Sequence, residues 1–170
     1  NKVRELLERV GKIQDYEMEP IIGMEDPWYY RNKAQFPVGR NKEGKIVTGF
    51  YAGRTHSIIP VDECFIQHPI NRCLMQMMQQ WMEDHQVAPY DEAAHTGLIR
   101  HVFTRVGKYT GEIMVCLVIN GKRVPAAEVL IDMLKTVPGM TSICLNINRE
   151  KTNVIIGDTV KCLWGKSYIT

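Results

Sequence analysis

The chain is expected to fold as an α+β domain, a mainly antiparallel sheet with helices packed against it. Three observations in the 170-residue sequence carry that expectation. Apolar and polar residues alternate with the strand period around Ala34, Phe36 and Val38. Ile70, Cys73, Leu74, Met77, Met78, Trp81 and Met82 recur at helical spacing. Hairpins and helices also arrive in blocks rather than in strict alternation. The order is a leading three-strand meander, then helix, strand, strand, helix, strand, strand.

The elements follow from local chemistry. Val3, Leu6, Leu7 and Val10 fall at helical spacing and Gly11 can stop the turn, so 1–12 reads as a short helix. An acidic linker with Pro20 and Pro27 runs to 28, and a central α+β domain is expected over 29–170. Strands are expected at 29–38, 46–52 and 56–60. Asn41-Lys42-Glu43-Gly44 turns between the first two, and Arg54-Thr55 turns before the third. Pro69 opens the methionine-rich helix, because its fixed φ suits a first helical position.

Two strands at 98–107 and 112–120 follow, joined near Tyr109-Thr110-Gly111. The second, Ile113-Met114-Val115-Cys116-Leu117-Val118-Ile119, is apolar on both faces and is expected to lie centrally, covered on each side. Pro125 starts a helix with Val129, Leu130, Met133, Leu134 and Val137 inward, stopped by Pro138-Gly139. A strand at 140–148 carries Ser142, Cys144, Asn146 and Asn148 on its polar face. Short strands at 153–156 and 160–164 are expected to close the chain.

Bulk properties narrow the function classes. A hydrophobic content of 45% with 24% charged residues is that of an ordinary globular protein. No apolar run approaches the roughly 18 residues that a membrane span needs, and the amino end is charged rather than a secretory apolar stretch. No membrane partner is expected. Five dispersed cysteines show no zinc or redox spacing, which favours a reducing compartment and a cytoplasmic location. Cys73 and Cys116 sit in apolar patterns and read as small core residues. The chain does not begin with Met and stops in a strand-like run, so both ends are expected to be cut.

The charge distribution is the clearest functional signal. Between Arg31 and His56, six cations (Arg31, Lys33, Arg40, Lys42, Lys45 and Arg54) face only Glu43, a local balance of +5 against +2 for the whole chain. Concentrated positive charge on a near-neutral protein suits a polyanion. Strand parity places Arg31, Lys33 and Gln35 on one face, with Tyr30, Asn32, Ala34, Phe36 and Val38 on the other. Two cations and an amide can meet phosphates and base edges together. The same pattern also suits a solvated hairpin whose lysines protect a sheet edge.

Catalytic motifs are missing from the sequence. No glycine-rich phosphate loop follows a strand, and no Gly-x-Ser-x-Gly elbow occurs. His56, His68, His85, His95 and His101 have no zinc-protease spacing, and Glu83-Asp84 lies at an exposed helix end. These residues make a binding surface rather than a catalyst.

Several ordered blocks carry a resemblance. Tyr30-Arg31-Asn32-Lys33-Ala34-Gln35-Phe36-Pro37-Val38-Gly39, Gly49-Phe50-Tyr51, His56-Ser57-Ile58-Ile59-Pro60 and Cys64-Phe65-Ile66-Gln67 come first. Ile99-Arg100-His101, Thr110-Gly111-Glu112-Ile113-Met114-Val115, Asn146-Ile147-Asn148 and Thr152-Asn153-Val154-Ile155 follow. Together they resemble the RNA (uracil-5-)-methyltransferases, the bacterial 23S ribosomal RNA and transfer RNA 5-methyluridine enzymes. The likeness covers nearly the whole chain.

The resemblance implies a central domain, with an amino-terminal OB-type domain and a carboxy-terminal methyltransferase domain outside this chain. It implies S-adenosylmethionine as methyl donor, with its site, the cysteine nucleophile and the general base all beyond this segment. No catalytic residue is then expected here, and the chain alone is expected to be inactive. In the family, the cysteine thiolate adds to carbon 6 of uracil, carbon 5 takes the methyl group, and loss of the carbon 5 proton expels the cysteine.

The resemblance further implies RNA contact through Arg31, Lys33 and Gln35, with Tyr51 or Phe50 able to stack on a base and Arg54 adding charge. Asn32 is expected to be an inward structural amide. Cys64 matches the fourth ligand of a 4Fe–4S cluster held by many members, and the other three cysteines are absent, so an iron-free chain is expected. The expected partner is RNA, 23S ribosomal rather than transfer RNA, with no DNA, and the chain is expected to be a monomer. A stand-alone noncatalytic RNA-binding module remains the alternative. A protein-docking role for the methionine-rich helix is a third reading.

Overall fold

Strand period and helix period sort the chain into one mixed sheet with two packed helices. The structure is a computed structural model and describes residues 2–170. The amino-terminal helix α1 (Lys2–Glu5) widens into a π turn over Leu6–Val10. Its apolar stripe is not buried: Val3, Leu6 and Val10 are exposed.

The meander forms β1 (Lys33–Arg40), β2 (Ile46–Tyr51) and β3 (Ile58–Pro60). The helix α2 (Ile70–Asp84) precedes the hairpin of β4 (Ile99–Val106) and β5 (Ile113–Ile119). Then come α3 (Ala127–Lys135), β6 (Met140–Ile147) and β7 (Thr159–Gly165). The seven strands lie in the order β3-β2-β1-β4-β5-β6-β7. All neighbours are antiparallel except β5 and β6, which run parallel because α3 carries the chain back across the sheet.

One face of the sheet holds the core. Ala34, Phe36 and Val38 alternate inward on β1, and Ile113, Val115, Leu117 and Ile119 on β5, against Leu74, Met78, Trp81 and Met82 of α2. From α3, Leu130, Ile131 and Leu134 join the same cluster. Burying an aliphatic or aromatic side chain of this size contributes about 1.5–3 kcal/mol. The methionine-rich stripe is therefore core, which removes the docking reading of α2. A buried polar link crosses it: Thr104 Oγ1 donates to Asn71 Oδ1 at 2.7 Å. At the start of α2 the backbone N–H of Ile70 donates to His68 Nδ1 at 3.2 Å, and burial lowers that imidazole's pKa, which keeps the ring neutral as an acceptor.

Four expectations change in detail. β1 begins at Lys33, four residues late, because Tyr29 adopts φ 49° and the chain at Arg31 makes only an isolated bridge to Gln67. Parity therefore fails before Lys33: Tyr30 and Asn32 are exposed, so Asn32 is not an inward amide. Val129 is exposed, since α3 starts after left-handed Ala126 and buries Leu130, Ile131 and Leu134 instead. The stretch 153–156 is not a strand. Its carbonyls are taken by side chains: Asn148 Nδ2 donates to Val154 O at 2.7 Å and to Ile155 O at 2.9 Å.

Candidate nucleic-acid interface

The second face of the sheet is where the sequence-expected residues gather. On β1, Lys33 and Gln35 alternate away from the core; on β2, Tyr51 ends the strand on the same side; on β4, His101, Phe103 and Arg105 do likewise. Both α2 and α3 pack into the opposite face. β5 therefore meets the expectation of cover on each side only in part: on its outer face Val118 is buried, while Met114 and Cys116 are half-buried. Its outer face, Met114, Cys116 and Val118, floors a groove of about 480 Å³.

Register makes the electrostatics specific. Lys33 stands opposite Arg105, and Gln35 opposite Phe103. The Lys33 ammonium lies 5.7 Å from the centroid of the Phe103 ring. Neither Lys33 nor Arg105 has a carboxylate partner among the described residues. Like charges directly opposite in a sheet repel, so an anion between them relieves the pair. The groove lining contains these two cations and no carboxylate.

Tyr51 sits at the other end of this face. Its ring centroid is 5.4 Å from that of His56 and 6.3 Å from that of His101, edge-on to the latter. His56 is paired with Glu92. Burial, followed by the Glu92 charge, raises the Tyr51 phenol pKa and keeps it a neutral donor. His101 is buried with neither ring nitrogen hydrogen-bonded. Burial, and then the Arg100 charge, lower its pKa to about 4.

Arg100 is a positioning residue for the groove's far wall. Its guanidinium is buried and stacks 4.4 Å over the Tyr90 ring. It donates from Nη1 to Asn148 O (3.1 Å) and Glu150 O (2.7 Å), and from Nη2 to Thr152 O (3.3 Å). Asn146 and Gly157 exchange two bonds of 2.7 Å. Together these fix 149–158 as an ordered loop that brings exposed Ile156 to the groove wall beside Val160.

Two expected residues lie off this surface's centre. Arg31 is exposed beside the 61–69 segment, its backbone N–H donating to Ile66 O at 2.9 Å. Arg54 is exposed at the β2–β3 turn, at φ 64°. Phe50 is directed to the core, its ring centroid 5.8 Å from that of Phe36, which leaves Tyr51 as the aromatic on the open face. His101 stands in one of the blocks that carry the resemblance, without a role assigned to it; Phe103 and Arg105 carry no sequence signal of their own, because the alternation along β4 does not say that β4 pairs with β1.

Cys64 is half-buried and lines a separate cavity of about 180 Å³ with Gln67, His68, Asn71 and Arg72. Among the described residues no group of three or more His, Cys, Asp or Glu side chains is placed to hold a metal. Cys116, Cys144 and Cys162 sit on β5, β6 and β7 across the sheet, in register with one another and lining the groove. The residues present do not fit a four-thiolate cluster at Cys64. Nor do the described helices include one long and apolar enough to cross a membrane.

Comparison with known proteins adds a family context. No protein-family profile matches the chain. An uncharacterized RNA methyltransferase of Halalkalibacterium halodurans is 46% identical over 169 residues, covering 99% of this chain and 37% of that protein. One from Caldanaerobacter subterraneus subsp. tengcongensis is 44% identical over the same length and share. The chain thus spans a little over a third of these relatives. Among solved structures, the Pyrococcus abyssi tRNA (uracil-54, C5)-methyltransferase, in complex with S-adenosyl-L-homocysteine, matches with a TM-score of 0.68. That match is 24% identical in sequence and covers 85% of this chain and 33% of the other, a likeness of fold.

Proposed function

We propose that this chain, which belongs to the RNA methyltransferase family, is the RNA-facing central domain of an enzyme that methylates carbon 5 of a uridine. One observation carries the reading: Lys33, Gln35 and Tyr51 share the sheet face that carries no helix, on which Lys33 and Arg105 stand opposed without a carboxylate among the described residues. Such a face favours a polyanion that can also be stacked upon and hydrogen-bonded.

The roles follow from position. Lys33 and Arg105 meet phosphates, Gln35 presents an amide beside them, and Tyr51 offers a ring for stacking. Arg31 and Arg54, exposed at the two margins, extend the positive field. The domain binds and orients the strand so that the target base leaves its stack, a step costing a few kcal/mol. Methyl transfer from S-adenosylmethionine is assigned to another portion of the longer protein, and this chain by itself is assigned no catalytic residue.

The proposed substrate is ribosomal rather than transfer RNA, and the dispersed free cysteines support a cytoplasmic location; methylation of transfer RNA alone by the longer protein contradicts the choice of RNA. In that protein, Arg31→Ala with Gln35→Ala is expected to lower kcat/KM for RNA about tenfold or more, while S-adenosylmethionine binding is unchanged. Unaltered RNA kinetics removes the assignment.

A further inference from the structure

We infer that the groove on the open face holds a splayed-out nucleoside of the bound RNA strand. Its base lies over Met114, between the edge of Phe103 and the Ile156–Val160 wall, and its phosphate lies between Lys33 and Arg105. This deepens the function proposed above and rests on it.

The groove is the right size and has the right chemistry. Its volume of about 480 Å³ exceeds what one base fills and suits a base with its sugar. Phe103 and Val118 are buried in the floor, whereas Ile156 and Val160 stand more than half exposed at the wall. An exposed apolar wall above a buried apolar floor favours a flat, poorly hydrated ligand. The rim is electrostatically one-sided, with two cations and no carboxylate.

Those cations occupy facing positions on β1 and β4. The repulsion between them is relieved by a phosphate placed between. An apolar side chain from elsewhere in a longer protein fills the floor but leaves that repulsion in place. The groove's polar groups also set the kind of recognition. Both ends of the Asn146 amide are already engaged by the backbone of Gly157. The remaining polar lining groups are thiols, Ser167 and Thr104, whose hydroxyl is spent on Asn71; they are weak or few as readers of base edges. The site therefore accepts pyrimidines and purines alike, by stacking and burial.

The groove's own Cys162 reports its occupancy. Cys162 is exposed and Cys116 half-buried in the lining, while Cys73 lies on α2 at the opposite face. We would alkylate the chain with N-ethylmaleimide at low ionic strength, with and without saturating oligouridylate of about eight nucleotides, and follow each cysteine by mass spectrometry. Alkylation of Cys162 is expected to slow at least about fivefold with RNA, while Cys73 is unchanged; Cys116, whose thiol pKa is pushed up by its bond to Cys144 and by burial, reacts too slowly to report. Val160→Glu, a surface substitution, is expected to weaken oligouridylate binding by at least about fivefold, the lower end of what one stacked base contributes. Oligouridylate that binds without slowing Cys162, or that binds Val160→Glu as well as the parent, overturns the inference and leaves the proposed function standing. The same holds if Cys162 is already protected in the longer protein without RNA, for then another segment fills the groove. Absence of RNA binding in both the chain and the longer protein overturns both.

Discussion

Lys33 and Arg105 face each other across β1 and β4 without an intervening carboxylate. A sheet built only for stability would not place two cations there, because like charges directly opposite are destabilising by about 0.2–1 kcal/mol. Arg105→Gln is therefore expected to stabilise the chain slightly, within that range, while weakening RNA binding. Urea unfolding and an RNA titration on the same variant test both signs. A variant that is less stable, or that binds RNA unchanged, contradicts the reading of this pair as a phosphate site.

Arg100 holds the 149–158 loop through three backbone carbonyls. Lysine has one compact ammonium in place of a planar fork and cannot reproduce that set. Arg100→Lys is expected to cost about 2–4 kcal/mol, since buried acceptors lose their donors. Arg149 and Lys151 are exposed within the loop and supply tryptic sites. Cleavage after them is expected to accelerate at least about tenfold in the variant, tracking local opening. Equal cleavage rates in variant and parent would show that the loop is held by other means.

His101 couples stability to pH. Burial, then Arg100, lower its pKa to about 4 from 6.5 in an exposed chain. Between those values the unfolded chain binds the proton and the folded chain does not, so acidification favours unfolding. Stability is expected to fall by on the order of 3 kcal/mol from this group as pH drops from above 6.5 toward 4. His68, also lowered by burial, adds in the same direction. His101→Phe should flatten most of that slope in denaturant titrations between neutral pH and about pH 4.5. A slope identical to the parent's excludes His101 as its source.

Much of this architecture is legible in the residues, and the exceptions have physical causes. Pro69 and the Leu74–Met78–Trp81–Met82 stripe locate α2, because its apolar positions repeat at 3.6 residues per turn. The leading meander follows from Gly44 at φ 80° and the alternation about Phe36. The parallel pairing of β5 with β6 is not legible, since segment order alone does not say which strands are neighbours. Nor is the end of α2, where Gln86 turns the chain at φ 52° without a glycine.

The site divides the same way. Lys33 and Gln35 are readable from β1 alone, as a local alternation of polar and apolar residues. Phe103 and Arg105 become their neighbours only through the long-range pairing of β1 with β4. The groove depends besides on a loop whose shape is set by the amides of Asn146 and Asn148 rather than by its own sequence. The early limit of parity has a local cause too, the positive φ of Tyr29.

The most direct measurement is the salt dependence of RNA binding by this chain. Labelled single-stranded RNA is titrated between about 50 and 200 mM salt, against the parent and against Arg31→Gln, Lys33→Gln and Arg54→Gln. Each lost phosphate contact is expected to reduce the slope of log K against log salt by about 0.7, with Lys33→Gln giving the full effect. A parent that binds no RNA at the lowest salt, or a slope that Lys33→Gln leaves untouched, contradicts the claim that this sheet face meets the RNA strand.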